Sequence, residues 1–157
     1  MMTKEIALAF IVIILPLCSC AQAPDKQSKN LEYLQHNFKE LYSTDYDQFW
    51  KILRGAAAGA QGCKVTTDTA RFLELARINS INAEFNEFFN REIEQLAVRK
   101  TECFLSALLI TDENTQAGVL KRLQHPLFVE SADLARALKP FAQSKYAALV
   151  NRYLGSQ

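Results

Sequence analysis

From residue 31 to residue 153 the apolar positions of this chain recur at intervals of three and four, and no stretch alternates with period two long enough to make a strand. Such intervals return a side chain to one face of an α-helix, whereas a half-buried strand needs every second residue. The pattern predicts an all-α fold. Leu31, Leu34, Phe38 and Leu41 form the inner face of a first helix. Thr44 or Asp45 is placed to cap a second, with Tyr46, Phe49, Trp50 and Leu53 inward and Gly59 and Gly62 ending it. A third starts at Thr66 or Thr67 and buries Phe72, Leu73 and Ala76; a fourth, from about Asn82, carries Phe85, Phe88, Phe89, Ile93 and Leu96. Residues 101–110 form a short helix apolar on most sides. Asp112 caps the next, which Pro126 prevents from continuing, and Ser131 opens another. The last presents Tyr146, Leu149, Val150 and Tyr153, with Gly155 at its end.

Seven or eight short helices with short links pack most simply as antiparallel hairpins, in a compact bundle or a short solenoid. The layout resembles that of HEAT-like helical proteins in architecture only. No repeat with matching residues at a fixed period accompanies it, so no functional residue carries over. The 157 residues suffice for one domain, placed at residues 31–157, and 49% of them are hydrophobic, enough for a folded core. With 18 Lys and Arg against 17 Asp and Glu the formal charge is +1. That balance argues against a dedicated nucleic-acid binder, which needs a large positive field.

The N-terminus reads differently. Residues 6–17 are an unbroken apolar run, too short to cross a hydrocarbon core of ~30 Å as a helix and suited to the core of a secretory signal peptide. A buried core helix is the competing reading. Leu17, Cys18, Ser19 and Cys20 then resemble the lipobox of bacterial lipoproteins: an aliphatic residue, two small residues and the Cys that becomes the lipidated N-terminus. Cys18 departs from the usual second-position residues while remaining small. Cleavage after Ala23 competes, but it would leave Pro24 as the first mature residue. The resemblance implies a signal peptide over residues 1–19, lipidation of Cys20 and an anchored chain facing the periplasm. Ala21, with no Asp there, implies the outer membrane. Residues 20–30 read as a polar tether.

In that oxidising compartment Cys63 and Cys103 remain as an even pair. A disulfide between them would close a loop of about 40 residues and stabilise by up to ~4 kcal/mol. Two buried free thiols are the alternative.

Catalytic constellations are hard to find. His36 lies mid-helix near Glu40 without the second His that a metalloprotease helix requires, and His125 precedes Pro126 where an imidazole can cap carbonyls. Gly55, Gly59 and Gly62 lack the Lys and hydroxyl of a phosphate loop, and small residues there suit close helix packing. Asp45 and Asp47 sit in a first helical turn, where negative charge is favourable. Glu84, Glu87, Glu92 and Glu94 read as a solvated helix face. No catalytic residue, metal ligand or cofactor is expected.

One feature stands out. Asn79, Asn82, Asn86 and Asn90 recur at three, four and four beside Glu87, Arg91 and Glu94. Asn is a mediocre helix former, so propensity does not select it repeatedly. A stripe of amides among mixed charges suits hydrogen bonding to another protein; a solvated face with one cap is the plainer alternative. The expected function is a membrane-tethered periplasmic binding protein with a protein partner. In size and layout it is similar to immunity proteins that neutralise toxins from neighbouring cells, and to pilotins that escort secretin subunits. An envelope enzyme or small-ligand carrier, or a purely structural lipoprotein, are the competing classes.

Overall fold

The computed structural model describes residues 26–155; the expected signal peptide, the expected lipidation site Cys20 and the start of the expected tether lie outside the described residues. Within them the chain forms nine α-helices, two 3₁₀ turns and no strand. The helices are α1 (Lys26–His36), α2 (Phe38–Thr44), α3 (Tyr46–Gly62), α4 (Thr66–Leu73), α5 (Ala83–Arg99), α6 (Thr101–Leu109), α7 (Glu113–Leu123), α8 (Ser131–Leu138) and α9 (Ala147–Leu154), with 3₁₀ turns at Glu74–Arg77 and Lys139–Phe141.

Three helix starts follow from local capping chemistry. Asp45, Asn82 and Asp112 each accept a hydrogen bond from the backbone N–H three residues on, satisfying a donor that the helix itself leaves unpaired. Three boundaries differ from the periodicity reading. The first helix bends at Asn37, where the side chains of His36 and Asn37 bond the carbonyls of Glu32 and Tyr33, competing with the backbone ladder and separating α1 from α2. Helix α1 also begins at Lys26, so its first turn takes up part of the expected tether; a turn without apolar residues carries no periodicity to read. Gly59 lies inside α3, because the alanines around it favour continuing the helix. The left-handed position that ends α3 falls on Cys63, at φ 51°.

Each helix from α1 to α9 contributes to one contiguous apolar core. Helix α3 packs on α1, α2, α4 and α5; α5 packs in turn on α6, α7 and α8. Phe38, Phe49, Phe85 and Phe89 interlock mainly edge to face near its centre, a favoured geometry for aromatic rings. Cys63 and Cys103 form a disulfide, Cα atoms 6.1 Å apart, joining the end of α3 to α6. At Gly118 the backbone of α7 lies against the 3₁₀ turn, where a Cβ would come within 3.2 Å of the Ala76 carbonyl.

Candidate interaction surface on helix α5

Helix α5 carries polar residues along two flanks, and the structure uses them differently. On the first, the expected amide stripe is turned inward. Asn82 is the N-cap. Asn86 and Asn90 point their carbonyl oxygens at one guanidinium: Arg122 of α7 donates to Asn90 at 2.8 Å and to Asn86 at 3.1 Å. The same guanidinium stacks 5.2 Å from the centre of the Phe89 ring, and burial lowers its pKa from the usual value. The Asn86 amide donates to the Ser80 carbonyl, closing the turn before the helix. Asn79 lies in residues 78–82, outside the helix and exposed, so it is not part of the stripe.

Glu94 departs furthest from expectation. Read as part of a solvated face, it has no exposed surface at all. Its carboxylate accepts three consecutive backbone N–H groups, from Leu127, Phe128 and Val129, at 3.0, 2.6 and 3.2 Å. A buried charge is tolerable only when its lone pairs are filled, and here the loop after α7 fills them. The consequence is a loop fixed in shape that holds Leu127 (67% exposed) and Phe128 (37%) at the surface. Beside it lies a hollow of about 480 Å³ lined by Val98 and residues 126–131 and 133.

The other flank of α5 faces out. Glu84, Glu87, Phe88 and Arg91 line a groove of about 320 Å³ against Tyr46, Trp50 and Arg54 of α3. Tyr46, expected in the core, is 48% exposed; as the first residue of α3 it precedes the buried face that starts at Phe49. The hydroxyls of Tyr42 and Tyr46 both donate to one oxygen of Glu84, at 2.9 and 3.0 Å. That bond, more than any other cause, raises the pKa of Tyr46. Trp50 is almost wholly buried, and its indole partly offsets that rise.

Along this groove runs an alternating row. Arg54 sits 5.4 Å from the Trp50 ring, Trp50 is 5.4 Å from Phe88, and Arg91 is 5.3 Å from Phe88 and 6.0 Å from Phe128 of the clamped loop. The row thus links α3, α5 and the loop, with Arg54, Arg91 and Phe128 reaching the surface and Trp50 buried beneath them. Glu87 and Arg91, two of the seven residues singled out in the sequence, belong to it. Trp50, Arg54, Phe88 and Phe128 were not anticipated. Two of the three Arg–ring pairs are visible as helical spacing, Trp50 with Arg54 at four and Phe88 with Arg91 at three. That α3 and α5 bring the pairs side by side is not.

The histidines stay at the surface. His36 bonds the Glu32 carbonyl at 2.8 Å and His125 is exposed just beyond α7. Among the described residues no group of three or more His, Cys, Asp or Glu is placed to hold a metal ion, and no helix is long and apolar enough to cross a membrane. No family model, curated protein or solved structure matches the chain.

Proposed function

We propose that this chain is a membrane-tethered periplasmic binding protein that acts by contact with another protein, and specifically an immunity protein that neutralises a secreted toxin. The observation that carries the reading is the row from Arg54 to Phe128, continued by exposed Leu127. Trp, Tyr and Arg dominate the binding energy of protein interfaces, because they combine large apolar area with a polar handle. Here they stand on helices and on a clamped loop, so little conformational entropy is lost on association. The lipobox-like segment supports the address, since an anchor raises the effective concentration of a binder at the membrane.

The test is capture from envelope extract with the full chain in mild detergent, beside a Leu127→Glu, Tyr46→Ala double variant. The expected result is one stoichiometric partner, a secreted toxin whose activity the chain inhibits, retained by the wild type and lost by the variant. No protein partner, or equal retention by both, overturns the reading. A secretin fragment as the partner replaces immunity with the pilotin-like role.

A further inference from the structure

We infer that the groove between α3 and α5 receives an acidic segment of the partner protein, with carboxylates seated on Arg54 and Arg91. The inference rests on the protein-binding reading and adds the chemistry of what is bound. It follows from an imbalance of hydrogen-bonding groups along the row.

The donors are unfilled. Arg54 stacks on Trp50 and makes neither an ion pair nor a hydrogen bond within the described residues. Arg91 commits only Nε, to Glu92 at 3.5 Å, and its two terminal nitrogens are open. The Trp50 N–H is buried beneath the groove beside the Tyr46 hydroxyl and is not one of the open donors. A guanidinium stacked on a ring keeps its N–H edge free in the plane, and that edge matches both oxygens of a carboxylate. On the acceptor side one oxygen of Glu84 holds two tyrosine hydroxyls, and the exposed carboxylates of Glu84 and Glu87 supply the remaining oxygens of the rim, fewer than the open N–H groups of the two guanidiniums.

An acceptor-rich occupant completes this set. The two carboxylates also say which kind. Glu84 and Glu87 repel a ligand of uniform negative charge, such as a phosphate backbone, and the whole chain carries a formal charge of only +1. A protein segment avoids that repulsion by placing Asp or Glu opposite the arginines and a neutral or basic residue opposite Glu87. The surface therefore selects a pattern of charge rather than charge alone.

Trp50 is the only tryptophan in the chain, so its emission reports on the groove without a label. The experiment titrates the full oxidised chain with a ten-residue peptide of Glu, Ser and Leu, with the same peptide carrying Lys for Glu, and with a single-stranded oligonucleotide. The expected result is a saturable change in Trp50 emission with the Glu peptide alone, weakened by salt. Arg54→Gln and Arg91→Gln each lower that affinity by roughly tenfold, and Glu87→Gln raises it by about twofold. Arg54→Glu transfers binding to the Lys peptide, a gain that a merely unfolded variant would not show. No saturable response to the Glu peptide, equal responses to the Glu and Lys peptides, a preference for the oligonucleotide, or glutamine variants that bind like the wild type would each overturn the inference. A captured toxin whose retention survives both glutamine variants also overturns it, while leaving the binding function standing. Failure to capture any protein overturns the function itself.

Discussion

The two flanks of α5 hold similar residues and do opposite things. Asn86, Asn90 and Glu94 are answered from within the chain, by Arg122 and by the backbone of the loop after α7. Glu87 and Arg91 stand at a groove whose donors remain largely open. The difference teaches how to read polar residues on a helix. Residue type does not separate scaffold from surface; what the neighbouring elements offer does. A polar group satisfied internally rigidifies the fold, and one left open at a rigid, aromatic-lined site is available to a partner.

The sharpest way to break the comparison is Glu94→Ala. It strips three backbone N–H groups of their acceptor and removes the clamp, for a loss of ~3 kcal/mol in urea denaturation. Faster hydrogen exchange at residues 127–129 should accompany it. Glu94→Gln, which retains one carbonyl acceptor, should lose less. A fully stable, fully protected Glu94→Ala protein would mean that the clamp does not hold the loop.

Next comes Arg122→Ala, which leaves the half-buried carbonyls of Asn86 and Asn90 without their donor, at a cost of ~1–2 kcal/mol. Arg122→Lys keeps the charge but not the two-pronged fork, and should recover only part of the loss. On the open flank, Arg54→Gln should change stability by no more than ~0.5–1 kcal/mol, the worth of an exposed cation–π contact. Thermal denaturation of these variants side by side sharpens the contrast: large effects on the satisfied flank, small ones on the open flank.

The smallest expected effect is a pH dependence at Asp112, which caps α7 and meets Arg77 at 2.9 Å. The backbone N–H of Thr115, with Arg77 assisting, holds its carboxyl below the ordinary value of 3.8. A carboxyl lowered in the folded state binds its proton more readily when the chain is unfolded. Its contribution is therefore fully present above the ordinary value and is lost as pH falls through the lowered one. Asp112→Asn keeps a capping oxygen that does not titrate, so its acid unfolding should be slightly less steep than that of the wild type. Identical acid limbs would assign the acid sensitivity to other groups.

Much of the fold was legible in the chain because its causes are local. The spacing of Leu31, Leu34, Phe38 and Leu41 marked a buried face, and Asp45, Asn82, Asp112 and Ser131 marked helix starts, as found. A cap or an apolar stripe needs only residues within a turn or two. The even pair Cys63 and Cys103, read against an oxidising address, is joined in the structure. The bend at Asn37 was missed because both helical segments keep the same apolar register across it.

The sequence by itself determined the helices, most of their ends and their buried faces, since each follows from spacing and capping between near neighbours. Only the tertiary structure decided which polar residues of α5 are scaffold and which are surface. Glu94 and Glu87 are the same residue type seven positions apart on one helix, and one is sealed beneath a loop while the other meets solvent. The groups that settle this are Arg122 and residues 127–129 on one side and Trp50 and Arg54 on the other, some 30 to 40 positions away in sequence. Desolvation and hydrogen bonding act through space, and no local pattern encodes which distant backbone will arrive to fill a carboxylate's lone pairs.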